Sequence, residues 1–329
     1  MIIEWLCSIP NCTLQSVQTS SMASLRMRAS IAAESANQLG HEIKFSDGHG
    51  FSTASVIFVT KIDLVNDPSR YERWESYIIR AAKNGIKIII DYTDHHLVSN
   101  TAVSLFYKKV LPLATQVICS SNLLSEYVNS HGFFHSTVIE DPIEIDIIRP
   151  KTEVSDPLTG LWFGHVSNLP YLIDYLLNEY NPSYSYRLIV MSNSYPLHEN
   201  YTRRLLSKKL QHLEIYALPW SISDMIAVSK VSDFCLLPTG VSDPRKNGAS
   251  SNRLITALAL GLPVATDSIP SYAPFRDYYA ELRTSEFAEL LNNPINHKKN
   301  IINAQNQISQ SLSKDLIKKK WINTIDSIF

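Results

Sequence analysis

The feature that most constrains the fold is an alternation of short β-branched runs with longer segments of helical period, which occurs twice along the chain. This alternation is typical of parallel sheets, because two parallel strands need a long crossover connection that is usually a helix. A chain of 329 residues exceeds the usual size of one hydrophobic core, so two domains are expected. The predicted fold class is therefore α/β, with one parallel sheet in each half.

The predicted strands are short and are bounded by polar or turn residues. In the first half they are Ile2–Leu6, Ser55–Thr60, Ile86–Ile90, Gln116–Cys119 and Thr137–Ile139. In the second half they are Leu161–Gly164, Tyr186–Ser192, Glu214–Leu218, Asp233–Pro238 and Pro263–Asp267. Helical segments are expected in the gaps between them.

Apolar residues at helical spacing predict two helices in the first half. One helix face carries Leu25, Ala29, Ala32, Ala36 and Leu39, and this helix is expected to end at Gly40. The other helix carries Tyr71, Trp74, Ile78 and Ala81, and it is expected to stop at Asn84–Gly85.

The last stretch of the chain, from Lys298 to Phe329, is amphipathic. Its predicted apolar stripe holds Ile301, Ile308, Leu312, Leu316 and Ile325, with lysines on the other sides. A terminal helix of this kind is expected to cross back onto the first domain.

The segment Asp141–Pro157 is predicted to connect the two halves, because it carries three prolines and no sustained period. We place the boundary near Pro150. The predicted domains are then residues 1–150 and residues 151–329.

Charge and hydropathy exclude several classes of protein. The formal net charge is −1, from 30 basic and 31 acidic residues, so no overall field attracts a nucleic-acid backbone and no nucleic-acid partner is expected. The sequence has no run of the roughly 18 apolar residues that a membrane-spanning helix needs, and its start does not resemble a secretion signal. A cytoplasmic location is expected.

Two short basic runs lie beside aromatic residues, at Tyr107–Lys109 and Lys318–Trp321. This combination can dock on anionic lipid, although such runs are usually solvated faces. At most, peripheral contact with the inner face of the plasma membrane is expected.

The four cysteines are predicted to be structural thiols. Cys119 and Cys235 lie within apolar runs, where a thiol behaves as a small hydrophobic group. Cys7 and Cys12 lack the second pair of ligands that would complete a zinc site.

Ligands of open parallel sheets bind beyond the carboxyl ends of the strands, so residues that directly follow strands are the first candidates. The cluster Asp91–His96 follows a predicted strand and holds two carboxylates and two imidazoles. Two interpretations stay open for Asp94: it caps a helix that begins near His95, or it takes part in chemistry. For His95 or His96 we favour function, because an imidazole can donate to a ligand hydroxyl or stabilise developing charge.

A second strand end, Gly164–Asn168, leads into a predicted helix. Glycine lets the backbone approach a phosphate, and the exposed amides of a helix start complement its charge. Gly164, His165 and Asn168 are the candidates here. The sequence contains neither the glycine fingerprint of dinucleotide-binding folds nor a P-loop.

The third segment, Pro238–Pro263, reads PTGVSDPRKNGASSNRLITALALGLP and gives the strongest signal. Lys246 and Arg253 supply cations, and the start of a helix adds partial positive charge. Ser250, Ser251 and Asn252 supply hydroxyl and amide donors, and together these groups suit a diphosphate. The alternative is that Ser250 or Ser251 caps the helix and that both cations are surface charges.

A fourth strand end, Asp267–Tyr272, follows the last predicted strand. It is expected either to shape the same binding pocket or to form a simple turn.

The segment SNRLITALALGLPVATDSIPSY resembles the donor-site helix and following strand of nucleotide-sugar glycosyltransferases of the GT-B architecture. The resemblance is greatest to the large retaining group of bacterial enzymes that build surface polysaccharides, including lipopolysaccharide. Three shorter segments resemble landmarks of the first domain in the same order. They are Leu25–Ala29, Val117–Ser121 and Val138–Pro142.

The resemblance implies two Rossmann-like domains with a cleft between them, the acceptor on residues 1–150 and the donor mainly on residues 151–329. It implies transfer of a sugar from a nucleotide-sugar to a glycan or lipid-linked acceptor, with no metal or other cofactor. Lys246 and Arg253 would stabilise the leaving diphosphate. His95 or His96, beside Asp94, would contact the donor sugar.

Two departures from that family concern the donor ribose and the phosphates. The family commonly carries two glutamates at the positions of Gly248 and Thr256, and a phosphate-binding lysine at the position of Asn168. Contact between a carboxylate and the ribose is therefore in question, and Lys246, Asn252 and Arg253 would carry more of the diphosphate. Two other readings stay open: a sugar-nucleotide epimerase of the same architecture, and a non-catalytic nucleotide-sugar-binding subunit.

Overall fold

A computed structural model describes the chain except at residues 10, 64–66, 134, 182–183, 194–212 and 247. The chain divides into two compact units. The first unit comprises Met1–Pro142, Asp243–Ser250 and Lys314–Phe329, and the second comprises Ile143–Ser242 and Ser251–Ser313. The sequence placed a single boundary near Pro150, whereas this division also gives one loop and the terminal helix to the first unit.

The first unit contains a sheet of six described strands that pair in parallel in the order β2-β1-β3-β4-β5-β6. The strands are β1 Ile2–Leu6, β2 Glu42–Ser46, β3 Val56–Val59, β4 Lys87–Tyr92, β5 Gln116–Cys119 and β6 Ser136–Val138. The order reverses between β1 and β3, so residues after these two strands lie at the topological switch point of the sheet.

The second unit contains a second parallel sheet of six described strands, in the order β12-β11-β10-β7-β8-β9. The strands are β7 Leu158–Gly164, β8 Tyr186–Ser192, β9 Leu213–Pro219, β10 Phe234–Leu237, β11 Val264–Thr266 and β12 Tyr279–Glu281. This is the strand order of a doubly wound nucleotide-binding sheet, with its switch point between β7 and β10.

Helices connect the strands in both units. In the first unit the α-helices are Leu14–Gln18, Ser30–Gln38, Arg70–Lys83, Ala102–Val110, Asn122–Ser130 and Lys314–Ile328. In the second unit they are Leu169–Asn178, Ile222–Ser229, Asn252–Ala259, Ser285–Asn292 and Lys298–Ser311. Among the described residues, no helix combines the length and apolar character needed to cross a membrane.

Every predicted strand overlaps a strand of the structure, but two of the described strands were not predicted. These are β2 and β12, and each lies at an edge of its sheet. Residues of β2 are exposed or half-buried along its whole length, and β12 has only three residues. Neither strand carries the continuous apolar run of a strand that is covered on both faces.

Both predicted helices of the first half are confirmed. The first begins as a π-helical turn at Leu25–Ala29 and continues to Gln38, and Gly40 follows with a φ of 81°. The second spans Arg70–Lys83, and Gly85 follows with a φ of 77°. Positive φ values are those that glycine adopts at little cost, so both helices end as the sequence indicated.

The terminal stretch is two helices rather than one, because the first ends at Ser311 and the second begins at Lys314. The prediction that Leu316 lies on the buried stripe is wrong, since this side chain is 40% exposed and Ile317 is buried instead. The break changes the phase of the apolar stripe. The helix Lys314–Ile328 packs in the first unit against the helix Ser30–Gln38, so the expected return of the terminal helix is confirmed.

A buried ion network crosses the core of the first unit. Arg28 is 1% exposed, and its Nε donates to both carboxylate oxygens of Asp91, at 2.9 Å to Oδ1 and 3.0 Å to Oδ2. Its Nη2 also donates to Oδ1, at 2.7 Å. Arg28 also donates to Asp141 at 3.0 Å and to the carbonyl of Ile139 at 2.6 Å. The guanidinium lies 5.5 Å from the ring centre of Trp321 in the terminal helix. Asp91 therefore serves the fold rather than the polar cluster that follows it.

Candidate functional site

Arg253 marks the switch point of the second sheet. It lies in the first turn of the helix Asn252–Ala259, which connects β10 to β11. Its Nε donates to the carbonyl oxygen of Phe163, near the end of β7, at 3.1 Å, and its guanidinium lies 5.3 Å from the ring centre of Trp162. Arg253 is thus fixed where a parallel sheet of this order binds ligands.

The guanidinium of Arg253 is partly unsatisfied. Its Nη2 atom is buried and has no hydrogen-bond partner among the residues that the structure describes. Burial lowers the pKa of Arg253, although it stays charged at neutral pH, since an arginine is effectively always protonated. A buried cationic donor without a partner is costly, so the geometry suits an incoming anion. The sequence interpretation of Arg253 as a mere surface charge is wrong.

Gly164 has no side chain because Arg253 fills that space. A Cβ built at Gly164 would lie 3.2 Å from Nε and 3.4 Å from Nη2 of Arg253. The sequence proposed Gly164 as a point of close backbone approach to a phosphate. The structure places the arginine there, so the close approach is between the strand end and the guanidinium.

His165 and Asn168 form a short turn directly after β7. The Nδ1 atom of His165 accepts from the backbone N–H of Ser167 at 3.2 Å, and the 3-10 turn Val166–Asn168 then leads into the helix Leu169–Asn178. The backbone N–H of Val166 donates to Asn193 after β8 at 3.0 Å. These bonds hold the turn in place beside the end of β7.

The start of the helix Asn252–Ala259 carries four other candidates. Ser251 occupies the N-cap position, but among the described residues its side chain makes no capping hydrogen bond. The alternative that Ser251 caps this helix is therefore wrong. Ser250, Ser251 and Asn252 are half-buried, and Thr256 is 6% exposed one turn further on. The division of the chain puts Ser250 in the first unit and Ser251 in the second.

The strand end at Asp267 is a supported turn. Asp267 is 3% exposed, accepts from the backbone N–H of Thr239 at 2.7 Å and pairs with Arg283. Thr239 follows β10, so Asp267 ties the ends of two neighbouring strands together. These bonds agree with the interpretation of Asp267–Tyr272 as a turn.

The first unit holds a second polar cluster, built on the ends of β3 and β4. Asp94 forms an ion pair with Lys61, which directly follows Thr60 after β3. The backbone N–H groups of His96 and Leu97 donate to the Tyr92 hydroxyl at 2.8 and 3.1 Å. The helix-capping interpretation of Asp94 is therefore wrong, because Tyr92 takes that role.

Charges around Asp94 keep it ionised. Burial by itself raises the pKa of Asp94, but Lys61 above all, and then Lys246, hold it well below its usual range. Lys246 belongs to the segment Asp243–Ser250, which this unit includes. The structure thus brings Lys246 to Asp94 and His96, which the sequence had singled out in a different segment. Lys61 was missed, although it too directly follows a predicted strand.

His96 is held as a neutral imidazole. Burial is the main cause that lowers its pKa to about 4, with Lys61 and Arg245 acting in the same direction and Asp94 opposing them. Its ring stacks on Tyr107, with centres 5.1 Å apart and planes 8° apart, and Nε2 lies 4.0 Å from Asp94. A neutral imidazole in this position can either donate or accept a hydrogen bond.

His95 is buried against a tyrosine of the first unit. It is 3% exposed and stacks on Tyr127 with ring centres 4.0 Å apart. Its Nδ1 atom is buried and has no hydrogen-bond partner within the described part of the chain. Burial lowers the pKa of His95, so the ring is neutral at pH 7. A buried ring that stacks in this way is typical of a histidine packed in a core. Its Nδ1 atom still lacks a partner among the described residues.

The structure explains why position 248 is a glycine. A Cβ built there would lie 2.4 Å from Cδ2 of Leu124 in the helix Asn122–Ser130. The hydroxyl of Ser121 donates to the carbonyl of Gly248 at 3.2 Å, which fixes this close approach. A glutamate at this position would have to displace Leu124.

Among the described residues, no group of three or more His, Cys, Asp or Glu side chains is arranged to hold a metal ion.

Lysines from both basic runs form ion pairs with carboxylates. Lys109 pairs with Glu75 at 2.8 Å, and Lys320 pairs with Glu140 at 2.6 Å. These lysines already have anionic partners within the protein.

Comparison with solved structures identifies the fold. The structure of Anabaena HepE in complex with UDP and glucose is 14% identical, with a TM-score of 0.67 over 99% of this chain and 100% of that one. An alpha-glucosyltransferase in complex with UDP and a 13-mer DNA containing a HMU base is 12% identical, with a TM-score of 0.58 over 99% of each chain. No protein-family model matches the chain, and a search of curated protein sequences finds no match.

A third structure resembles most of this chain but only part of its own. It is a variant of S. aureus TarM in complex with Fondaparinux, alpha-GlcNAc-glycerol and UDP, 9% identical, with a TM-score of 0.57 over 82% of this chain and 54% of that one. Together with the two parallel sheets, these likenesses show that the chain has the GT-B fold of two Rossmann-like domains.

Proposed function

We propose that the chain is a glycosyltransferase that transfers a sugar from a nucleotide-sugar donor and releases a nucleoside diphosphate. The observation that carries the proposal is the guanidinium of Arg253, which is held at the switch point of the second sheet and has a buried N–H group with no hydrogen-bond partner among the described residues. Three of the similar structures contain UDP, although their other ligands differ. A diphosphate is an anion of the kind this guanidinium would bind.

Arg253 would stabilise the charge that develops on the leaving diphosphate. A fixed donor in a partly buried position is more effective than one in water, because it needs no reorganisation during the reaction. The turn His165–Asn168 and the helix start at Ser251–Asn252 are proposed to complete the donor site. Stabilisation of this kind needs no metal ion, so we propose metal-independent transfer.

The cluster around Asp94 would serve the reacting sugar. Lys61 and Lys246 keep Asp94 ionised, while His96 stays neutral beside it. An ionised carboxylate and a neutral imidazole can both accept hydrogen bonds from sugar hydroxyls. We propose that Asp94 and His96 contact sugar hydroxyls and that Lys246, in the same cluster, adds positive charge beside them.

The proposed acceptor is a glycan or a lipid-linked saccharide, of the kind used in bacterial surface polysaccharide synthesis. The similar alpha-glucosyltransferase was solved with DNA, which makes DNA the obvious rival acceptor. The formal net charge of −1 gives this chain no overall attraction for a phosphate backbone. We therefore favour a saccharide acceptor.

A donor-turnover assay tests the proposed function. The full chain is incubated with UDP-, GDP-, ADP- and CDP-sugars, with and without a panel of glycan acceptors, and the products are identified by mass spectrometry. We expect acceptor-dependent release of one nucleoside diphosphate together with an extended acceptor. Conversion of the donor to another nucleotide-sugar would instead indicate an epimerase, and binding without turnover would indicate a binding subunit. Either result would contradict the proposal.

A further inference from the structure

Three consecutive residues at the end of β7 support the guanidinium of Arg253. The ring centre of Trp162 lies 5.3 Å from the guanidinium, and the carbonyl oxygen of Phe163 accepts from Nε at 3.1 Å. Gly164 leaves the space that the guanidinium fills, since a Cβ there would lie 3.2 Å from Nε. Residues two apart on a strand face the same side of the sheet, so the ring and the glycine both lie on the side of the cation.

The ring of Trp162 is fixed in place by its surroundings. Trp162 is fully buried and belongs to the apolar core of the second unit, together with Leu169 and Leu172 of the following helix. Its strand, β7, pairs with β8 on one edge and with β10 on the other. A close-packed interior leaves a side chain little room to move, so the ring is a fixed surface for the guanidinium.

A second arginine also lies over a tryptophan ring, but its other partners differ. The guanidinium of Arg28 is 5.5 Å from the ring centre of Trp321, and it pairs with Asp91 and Asp141 at 2.7 and 3.0 Å. Those carboxylates occupy its N–H groups, so Arg28 is satisfied within the fold. Arg253 forms no ion pair within the described part of the chain, and its Nη2 has no hydrogen-bond partner there.

We propose that Trp162 is a positioning residue that prepares Arg253 for binding phosphate. An aromatic ring attracts a cation to its electron-rich face and occupies none of the N–H donors. A carboxylate would also stabilise the cation, but it would occupy the donors that an anionic ligand needs. The ring therefore keeps Arg253 in place with Nη2 available to a ligand. This inference rests on the proposed function, since it takes the ligand of Arg253 to be the diphosphate of the donor.

Trp162 should matter for ligands that carry phosphate and not for those that lack it. UDP and pyrophosphate both present phosphate oxygens to the guanidinium, whereas uridine presents none. Without the ring, the guanidinium loses part of its support, so UDP and pyrophosphate should bind more weakly and uridine should bind as before. A general loss of structure would instead weaken the binding of UDP and uridine alike.

The experiment measures calorimetric binding of UDP, uridine and pyrophosphate to the full chain and to three variants. Trp162→Leu removes the ring, Trp162→Phe keeps a smaller ring, and Trp321→Leu removes the ring beside Arg28 as the matched control. In Trp162→Leu the preference for UDP over uridine should fall about 5- to 30-fold, which is the range for a partly buried cation–π contact. Trp162→Phe should recover part of this preference. Trp321→Leu should keep the wild-type preference and lose thermal stability.

A second measurement keeps the inference testable if Trp162→Leu does not fold. Pyrophosphate has no chromophore, so its binding can be followed by tryptophan emission. An anion bound to Arg253 changes the electric field at the ring of Trp162, so pyrophosphate should alter the emission of the wild type. This change should be much smaller in Trp162→Phe, and it should persist in Trp321→Phe.

Three results would overturn the inference. They are a preference for UDP over uridine in folded Trp162→Leu equal to that of the wild type, no recovery of that preference in Trp162→Phe, and an emission change in Trp162→Phe as large as in the wild type. Each result is compatible with sugar transfer in the donor-turnover assay, so this inference can fail while the proposed function stands. A wild type that binds neither UDP nor pyrophosphate would contradict both.

Discussion

The guanidinium of Arg253 occupies the space that a side chain at position 164 would need, with Nε 3.2 Å from a Cβ built on Gly164. This relationship couples the end of β7 to the proposed phosphate ligand. Even a methyl group at position 164 would press on the guanidinium of Arg253. Such a substitution should therefore affect ligand binding more than the packing of the core.

Gly164→Ala is expected to weaken nucleotide binding with little change in thermal stability, because the added methyl group displaces only the guanidinium of Arg253 and no backbone or core ring. Gly160→Ala on the same strand is the matched control. Its Cβ would lie 2.7 Å from the Phe234 ring in the core, so it should cost about 1–3 kcal/mol of stability. Melting temperatures and UDP titrations of both variants check this. Equal effects on stability would contradict the account of Gly164.

The charges beside His96 predict the direction in which two substitutions will shift its pKa. Lys61 lowers the pKa of His96 and Asp94 raises it. Lys61→Met should therefore raise the pKa of His96, whereas Asp94→Asn should lower it further. Proton NMR titration of the imidazole measures both shifts. Shifts in the same direction, or no shift in either variant, would show that the cluster is not assembled as described.

Acid stability should depend on the same histidine. The pKa of His96 is about 4 in the folded chain and 6.5 when unperturbed, so between these values the unfolded chain binds the extra proton and the free energy of unfolding falls as pH falls. The loss should be on the order of 2–3 kcal/mol. Above pH 6.5 His96 contributes nothing, and the stability from Asp94 is lost only below the usual carboxyl pKa of 3.8.

His96→Phe keeps a ring against Tyr107 and removes the titration. Denaturation of this variant should vary less between pH 6.5 and 4 than that of the wild type. An unchanged pH dependence would mean that His96 is charged in the folded protein.

The Arg28 network should be essential for stability. Arg28→Met leaves Asp91 and Asp141 buried without their cation, which typically costs about 3–5 kcal/mol. Arg187→Met is the matched control, since Arg187 pairs with Glu214 at the surface and should change stability by less than about 1 kcal/mol. Chemical denaturation compares the two. A similar small loss in both variants would contradict the network.

The sequence predicted most of this fold because central strands such as β4 and β8 are continuous apolar runs. It missed β2 and β12, since an edge strand that is half-exposed or only three residues long leaves no such run. Leu316 was misplaced because the break after Ser311 cannot be recognised from periodicity alone.

The candidate site was predictable in its positions but not in its contacts. The rule that ligands lie beyond strand ends selected Asp94, Gly164 and Arg253, and applied to β3 it would also have selected Lys61. Which side chains come into contact is decided by the tertiary structure, and the sequence pattern does not show it. The contacts of Arg253 with Phe163 and of Leu124 with Gly248 join residues far apart in the chain.

The most direct test of the central claim is calorimetric binding of UDP and uridine to the wild type, Arg253→Ala and the surface control Arg187→Ala. We predict that the wild type and Arg187→Ala bind UDP more tightly than uridine. In Arg253→Ala this preference for the diphosphate should fall about 10- to 100-fold, which is the range for a hydrogen bond to a charged group. Arg253→Ala binding UDP as tightly as the wild type, with the preference over uridine intact, would contradict the account.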